Sequence, residues 1–288
     1  MIYPNALPGM IFPPFTEGGS REARGWLWRL KTICSGTGLP PIWRWTRTMA
    51  RSAREPLKRT TFWPRTAANT SSRDRLSPDH PTVAGNEWIA ARLADGLGLP
   101  VLDYRIASME GALFFASSWM PGPSFSPALD ESLFRRCSNR DRAYAIVVFD
   151  AWLANYDRHN ENLVARRKRD SGEHLLLLND HSHLLIGPGG PQTSEHLLAR
   201  LDDPPGAYVK LDFLRASIAE AGRLGQALGT VETLDERFVR EVVRSTPDEF
   251  LPQDNRNAYE EFLTQRRSRL RQLFSNDKES FPNLDGAV

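Results

Sequence analysis

A strongly apolar run at residues 140–155, RDRAYAIVVFDAWLAN, ends directly in the polar loop YDRHNENL, and this junction restricts the possible folds more than any other part of the sequence. A helix that is apolar on all sides is one that lies buried in a core. The segments LVARR and HLLLLND follow the loop and predict two short strands. We therefore expect the polar loop and the end of the second strand to meet at the edge of a core.

The residues before this junction predict a helix followed by a hairpin. Residues 82–97, TVAGNEWIAARLADGL, carry an apolar stripe every three to four positions and are followed by glycine and proline, which indicates an amphipathic helix. The segments VLDYRIASM and GALFFASSWM are rich in branched and aromatic residues and predict two strands. After a Gly/Pro-rich stretch, helical patterns return at residues 208–227, 235–244 and 257–274. This order predicts an α+β fold.

Composition indicates a globular protein without a membrane span. The chain has 288 residues, of which 40% are hydrophobic and 25% charged. Its two cysteines, Cys34 and Cys137, match neither a disulfide framework nor a zinc ribbon. No apolar stretch reaches the roughly 18 residues of a membrane span, and the first residues lack the pattern of a secretory signal. We expect a cytoplasmic protein.

The first 75 residues are a different kind of sequence. Residues 20–75 contain thirteen Lys/Arg and three Asp/Glu, whereas residues 76–288 contain twenty-four and thirty-one. Five of the eight tryptophans lie here, and no sustained helical or strand period is present, although residues 25–30 match a short helix. Arginine and tryptophan can bind single-stranded nucleic acid, but no aromatic residues share one strand face. We expect a poorly ordered or degenerate segment and no nucleic-acid partner.

The densest cluster of reactive side chains follows the apolar helix. The loop contains Asp157 and Asn162, and the next hairpin ends on Asp180. Phosphoryl transfer needs a carboxylate that orients or deprotonates the acceptor hydroxyl, together with oxygen ligands for magnesium on the nucleotide phosphates. Asp157 suits the first role, and Asn162 and Asp180 suit the second. Arg158, beside Asp157, is expected to lower the proton affinity of that carboxylate and to brace the loop.

The segments VVFDAWLANYDRHNENLV and LLLLNDHSH resemble the catalytic and metal-binding segments of the HipA-like kinases, bacterial relatives of the phosphatidylinositol kinases. The resemblance implies that Asp157 is the general base and that Asn162 and Asp180 hold Mg²⁺. Asp150 and His159 would support the loop. These roles imply transfer of the γ-phosphoryl group of ATP to a hydroxyl group.

The helix AGNEWIAARLADGLGLPV resembles the N-lobe helix of the same family, so Glu87 would be the glutamate that pairs with the nucleotide-binding lysine. ASSWMPG resembles the hinge, where Trp119 and Met120 would contact adenine. The lysine position falls on Arg73, which keeps the charge but presents a planar fork.

The resemblance implies a two-lobed, protein-kinase-like fold with a small β-rich N-lobe and a mainly helical C-lobe. We expect a basic segment at residues 1–75, which is a divergent or degraded part of the N-lobe. The rest of the N-lobe and the hinge would lie at residues 76–125, and the C-lobe at residues 126–288.

Two other functions stay open. Because a lysine is missing at position 73, the chain could be a catalytically impaired pseudokinase that binds nucleotide or a partner. Alternatively, Asp157, His159, Asp180, His181 and His183 could hold zinc or manganese in a phosphohydrolase. The sequence does not distinguish a protein, a lipid headgroup or a small molecule as the acceptor.

Individual residues also have simpler interpretations. Glu87 is equally well explained as a solvent-facing helix residue, and His181 and His183 as surface or loop-bracing histidines. The three tryptophans beyond residue 80 are expected in the core; they are Trp88, Trp119 and Trp152.

Overall fold

The protein is described from a computed structural model. The residues that it describes are four early strands (10–11, 28–33, 42–46 and 62–64) and residues 82–109, 112–118, 125–126, 128–168, 170–187 and 194–287. The chain divides into two compact units, one formed by Met1–Ser77 with Leu102–Pro121 and the other by Pro78–Val101 with Gly122–Val288. The boundaries at residues 75 and 125 stay predictions from the sequence.

The first unit contains a six-stranded mixed sheet. Its strands are β1 (Met10–Ile11), β2 (Trp28–Ile33), β3 (Ile42–Thr46), β4 (Phe62–Pro64), β5 (Tyr104–Met109) and β6 (Ala112–Ser118). Their order in the sheet is β1-β3-β2-β5-β6-β4. Strand β2 runs antiparallel to β3 and parallel to β5, while β6 is antiparallel to both β5 and β4. The predicted hairpin at residues 101–120 is confirmed, with Tyr104 opposite Ser117.

The basic segment, residues 1–75, contributes four of these strands, β1 to β4. The short helix predicted at residues 25–30 is wrong, because β2 begins at Trp28 and lies between β3 and β5. Backbone N–H and C=O groups pair with two neighbouring strands there, and this pairing depends little on the local side-chain pattern.

The second unit combines a small antiparallel sheet with helices. The sheet has the order β7 (Phe125–Ser126), β8 (Leu163–Arg167) and β9 (His174–Leu178). The helices are α1 (Val83–Gly96), α2 (Glu131–Arg135), α3 (Ala143–Trp152), α4 (Ser194–Leu198), α5 (Asp212–Ser217), α6 (Ala221–Glu232), α7 (Glu236–Arg244) and α8 (Gln253–Asn276). The hairpin predicted after the polar loop is confirmed as β8 and β9, with Leu163 opposite Leu178.

Helix α3 lies at the centre of the core of this unit. Its residues are apolar on all sides, and nearly all of them are buried. Trp152 is fully buried and donates its indole N–H to the carbonyl of Leu263 in α8, at 2.8 Å. Trp152 is therefore a core residue as predicted, whereas Trp88 is only partly buried and Trp119 lies outside the described residues.

Helix α1 packs closely against the chain that precedes α8. A Cβ added to Gly85 would lie 2.5 Å from the backbone oxygen of Phe250, so only glycine allows this approach. The helix ends at Gly96, and Gly98 then adopts a φ of +66°, a conformation that glycine accepts at low cost.

The single helix predicted at residues 208–227 is wrong in its middle, where α5 and α6 are separate. The backbone N–H groups of Ala219 and Glu220 donate to the Tyr144 hydroxyl at 3.2 and 3.1 Å. A side chain of α3 thus replaces the helical hydrogen bonds at this point. None of the described helices combines the length and the apolar composition that a membrane span needs.

Candidate functional site

The polar loop starts where α3 ends, and its first turn is closed by Asp150 and Asn155. The backbone N–H of Asn155 donates to the carbonyl of Asp150 at 2.9 Å, and its side-chain amide donates to Asp150 Oδ1 at 2.8 Å. Asn155 Oδ1 accepts from the backbone N–H of Asp157 at 3.3 Å. The end of the buried helix therefore determines the direction in which the loop leaves the core.

Arg158 connects this loop to the β8–β9 hairpin. Its side chain is completely buried and donates to both carboxylate oxygens of Asp150, at 2.8 and 2.9 Å. Its Nη1 also donates to the carbonyls of Asn162 and Asn179, at 2.7 and 2.8 Å. Arg158 thus braces the loop as predicted. Its guanidinium is directed inward to Asp150, and the expected effect of Arg158 on the proton affinity of Asp157 stays a prediction.

Asn162 lies in a short 3₁₀ turn directly before β8 and is buried. Its amide Nδ2 donates to the carbonyl of Asp157 at 2.7 Å. An amide that uses its nitrogen in this way directs its oxygen elsewhere, and an amide oxygen is a suitable ligand for magnesium. The backbone N–H of Asn179 donates to the carbonyl of Asn162 at 3.1 Å, so the two ends of the hairpin are adjacent.

Asp180 follows that contact and is also buried, with 8% of its surface exposed. Its backbone φ is +55°, a left-handed conformation that is uncommon outside glycine and is tolerated best by Asn and Asp. Its Oδ1 accepts from the hydroxyl of Ser182 at 2.7 Å and from the backbone N–H of Ser182 at 3.3 Å. The carboxylate is thus held by its own loop.

Asp157 lies between two histidines and is about one-third exposed. Its Oδ2 is 3.5 Å from His183 Nδ1 and 3.8 Å from His159 Nε2. His159 Nδ1 accepts from the backbone N–H of Glu161 at 3.2 Å, so in the neutral ring the proton lies on Nε2, facing Asp157. His183 Nδ1 also lies 2.9 Å from Ser182 Oγ. Contacts of 2.7, 2.9 and 3.5 Å through Ser182 and His183 therefore connect Asp180 to Asp157.

Tyr156 forms one side of this cluster. Its ring meets that of His183 edge-on, with the centroids 6.0 Å apart, and the guanidinium of Arg200 lies 5.3 Å from its centroid. Burial raises the pKa of the Tyr156 phenol above its usual range; the nearby Arg200 lowers it and Asp157 adds to the increase. Tyr156 therefore stays a neutral phenol at physiological pH.

Glu87 is buried in α1, with 4% of its surface exposed, so its interpretation as a solvent-facing helix residue is wrong. Its Oε2 lies 3.5 Å from His181 Nδ1. His181 is buried as well, and its ring meets Phe149 of α3 edge-on. It braces the loop from the inside and is not a surface residue. The other predicted nucleotide contacts, Arg73, Trp119 and Met120, lie outside the described residues.

Asn86, next to Glu87, has a role that the sequence did not reveal. Its side-chain amide donates to the carbonyls of Ser182, Leu184 and Gly187, at 2.9 to 3.1 Å, and its oxygen accepts from the hydroxyl of Tyr259 at 2.8 Å. It therefore fixes the loop after Asp180 to α1 and α8. Only an asparagine inside an otherwise apolar helical stripe signals this role in the sequence.

The histidine-rich metal cluster of the phosphohydrolase alternative is not assembled. Among the residues that the structure describes, which include all five of the proposed ligands, no three His, Cys, Asp or Glu side chains are arranged to hold a metal ion. Asp180 and Asn162 are a carboxylate and an amide at the adjoining ends of one hairpin. This pair suits magnesium, which needs few protein ligands when phosphate oxygens and water complete its shell.

Comparison with known proteins identifies structural neighbours only. The chain is similar to the proinflammatory kinase CtkA of Helicobacter pylori, with a TM-score of 0.50 and 16% identity over 69% of this chain and 89% of that chain. It also matches HipA of Shewanella oneidensis MR-1, solved with HipB and operator DNA, with a TM-score of 0.39 and 14% identity over 69% of this chain and 58% of that chain. No protein-family model and no curated protein matches the sequence.

The likeness to CtkA shows that this chain has a kinase-like fold. At 16% identity it carries information on the fold alone. The roles of Asp157, Asn162 and Asp180 are therefore inferred from their own geometry.

Proposed function

We propose that this protein is a HipA-like kinase, which transfers the γ-phosphoryl group of ATP to a hydroxyl group of an acceptor. The observation that supports this most is the buried Arg158, whose contacts join the loop of Asp157 to both ends of the hairpin that carries Asn162 and Asp180. A base and two magnesium ligands on adjoining loops are what phosphoryl transfer requires. The kinase-like fold supports the same function.

Asp180 and Asn162 would hold magnesium through their side-chain oxygens. Bound magnesium neutralises charge on the nucleotide phosphates. The chain's own contribution is to keep both ligands in place: Ser182 holds the carboxylate of Asp180, and the carbonyl of Asp157 holds the amide of Asn162. Preorganised ligands need no rearrangement when the nucleotide binds, which lowers the cost of reaching the transition state.

Asp157 would accept or orient the proton of the acceptor hydroxyl. Its carboxylate is partly exposed, so an acceptor can reach it, and the Nε2–H of His159 faces it. The acceptor is a hydroxyl-bearing molecule, such as a protein, and we place the reaction in the cytoplasm.

A pseudokinase is the second candidate. The feature that favours it lies in the sequence: in the HipA-like kinases a nucleotide-binding lysine pairs with the glutamate at the position of Glu87. Arg73 stands at the lysine position in the sequence. A pseudokinase of this kind would bind nucleotide without turning it over.

Magnesium-dependent turnover of ATP by the purified full chain tests the proposal. We expect phosphoryl transfer to water, to the protein itself or to an added hydroxyl acceptor. Because the loss of a positioned base costs about 10²- to 10⁴-fold in rate, Asp157→Ala should reduce kcat by that factor.

The matched control is Asp170→Ala, at an exposed aspartate in the turn at the far end of the same hairpin. This variant should keep the wild-type kcat. Nucleotide binding by the wild-type chain without any turnover would support the pseudokinase instead.

A further inference from the structure

The hydroxyl of Ser182 has one proton, and its contacts determine where that proton goes. Oγ lies 2.7 Å from Asp180 Oδ1 and 2.9 Å from His183 Nδ1. An ionised carboxylate only accepts hydrogen bonds, so the serine must donate to Asp180. Towards His183, the serine oxygen can then only accept a hydrogen bond.

His183 must therefore carry a proton on Nδ1. The same nitrogen lies 3.5 Å from Oδ2 of Asp157. The imidazole also meets the Tyr156 ring edge-on, with the centroids 6.0 Å apart. The Nδ1 of His183 thus lies between Ser182, which donates to Asp180, and the carboxylate of Asp157.

We propose that Ser182 and His183 are positioning residues that couple the metal ligand Asp180 to the base Asp157, with His183 held as the Nδ1–H tautomer. This inference rests on the proposed kinase function for the roles of the two aspartates. The directions of the two hydrogen bonds, from Ser182 to Asp180 and from His183 to Ser182, follow from the donors and acceptors alone. They would be the same in a protein that does not turn over ATP.

The coupling has a direct consequence for the reaction. Movement of Asp180 changes the position of the Ser182 oxygen, and His183 transmits that change to Asp157. The base would be correctly oriented only while the metal ligand is in place. Loss of residues that orient ligands in this way typically reduces activity about 10- to 100-fold.

The first test does not depend on turnover. Nitrogen chemical shifts of the His183 ring, measured by NMR on the full chain with ¹⁵N-labelled histidine, should show the proton on Nδ1 in the neutral ring. In Ser182→Ala the Nδ1–H loses its nearest acceptor and keeps only the more distant Asp157, so the share of the Nδ1–H form should fall. A wild-type His183 in the Nε2–H form would overturn the inference, whether or not the protein is active.

The second test separates positioning from simple packing. Ser182→Ala and His183→Ala should each lower kcat about 10- to 100-fold, with little change in KM for ATP. His183→Asn should recover most of the activity, because its amide N–H lies close to the position of Nδ1. His183→Gln should not, since its longer amide reaches the position of Nε2.

Ser268→Ala is the control, at an exposed serine of α8 that bonds only within its own helix. Unchanged kcat in both Ser182→Ala and His183→Ala, in an enzyme that Asp157→Ala inactivates, would overturn the inference and leave the proposed function intact. A wild-type protein without turnover would overturn the proposed function, and the ring protonation of His183 would then decide the inference alone.

Discussion

Arg158 shows how a single buried residue can organise the whole site. A guanidinium has five donors in a fixed planar arrangement, and here they serve one carboxylate and the backbone carbonyls of two separate segments. A buried charge without partners is very unfavourable, so the loop and the hairpin must meet around it. The positions of Asp157, Asn162 and Asp180 are consequences of this requirement.

We expect Arg158→Ala to destabilise the protein by about 3–5 kcal/mol, because it leaves the carboxylate of Asp150 buried without its cation. Urea unfolding, followed by the helical circular dichroism signal, measures this loss. The comparison is Arg135→Ala, which breaks the exposed pair of Arg135 with Glu131 in α2. That change should cost less than about 1 kcal/mol. Equal effects of the two substitutions would contradict the proposed role of Arg158.

At the scale of the elements, α1 is the helix that brings Glu87 and Asn86 to the loop after Asp180. Its contact with the backbone at Phe250 is so close that no side chain fits at Gly85. Asn86, one residue further, bonds to the loop and to Tyr259 of α8. The absence of a side chain at Gly85 therefore allows α1 to approach the backbone at Phe250, and Asn86 then lies within hydrogen-bond distance of the loop.

Gly85→Ala tests this packing. Alanine is normally the better helix former, but here its Cβ would lie 2.5 Å from a backbone oxygen, and such overpacking costs about 1–3 kcal/mol. Gly229→Ala, in α6, meets no atom within 4 Å and should be neutral or stabilising by up to about 1 kcal/mol. The thermal midpoint should therefore fall in Gly85→Ala and stay unchanged or rise in Gly229→Ala; a stabilised Gly85→Ala variant would disprove the close approach.

At the scale of the whole molecule, the helical core holds several weak acids in their neutral form. Burial raises the pKa of the Cys137 thiol from 9.0 to about 11, with Arg136 opposing the shift. Burial also raises the pKa of Tyr208 and of Tyr259 above 10.0. Each of these groups binds its proton more tightly in the folded protein than in the unfolded chain.

The folded state should therefore lose stability in alkali. Because the pKa of Cys137 is raised on folding, its contribution is complete below pH 9 and is lost as the pH rises towards 11. The free energy of unfolding in urea, measured from pH 8 to pH 11, should fall above pH 9. Cys137→Ala removes one titrating group and should make the decline shallower; an identical decline in this variant would refute the assignment to Cys137.

Several parts of the fold were predictable from local sequence. The buried helix α3, the amphipathic α1 and the two hairpins follow from apolar periodicity, which the sequence carries within a dozen residues. The break between α5 and α6 was not predictable, because its cause is the hydroxyl of Tyr144, about 75 residues away. Strand β2 was missed for a similar reason, since its partners lie elsewhere in the chain.

The sequence by itself determined which residues can do chemistry: a loop with Asp157 and Asn162 directly after a buried helix, and Asp180 at the end of the next hairpin. Only the tertiary structure decided where their side chains point. Arg158 turns to Asp150, Glu87 meets His181, and Ser182 with His183 joins the two aspartates. The physical reason is that periodicity encodes which face of an element is buried, whereas a buried donor or acceptor takes whichever partner the folded chain brings within reach.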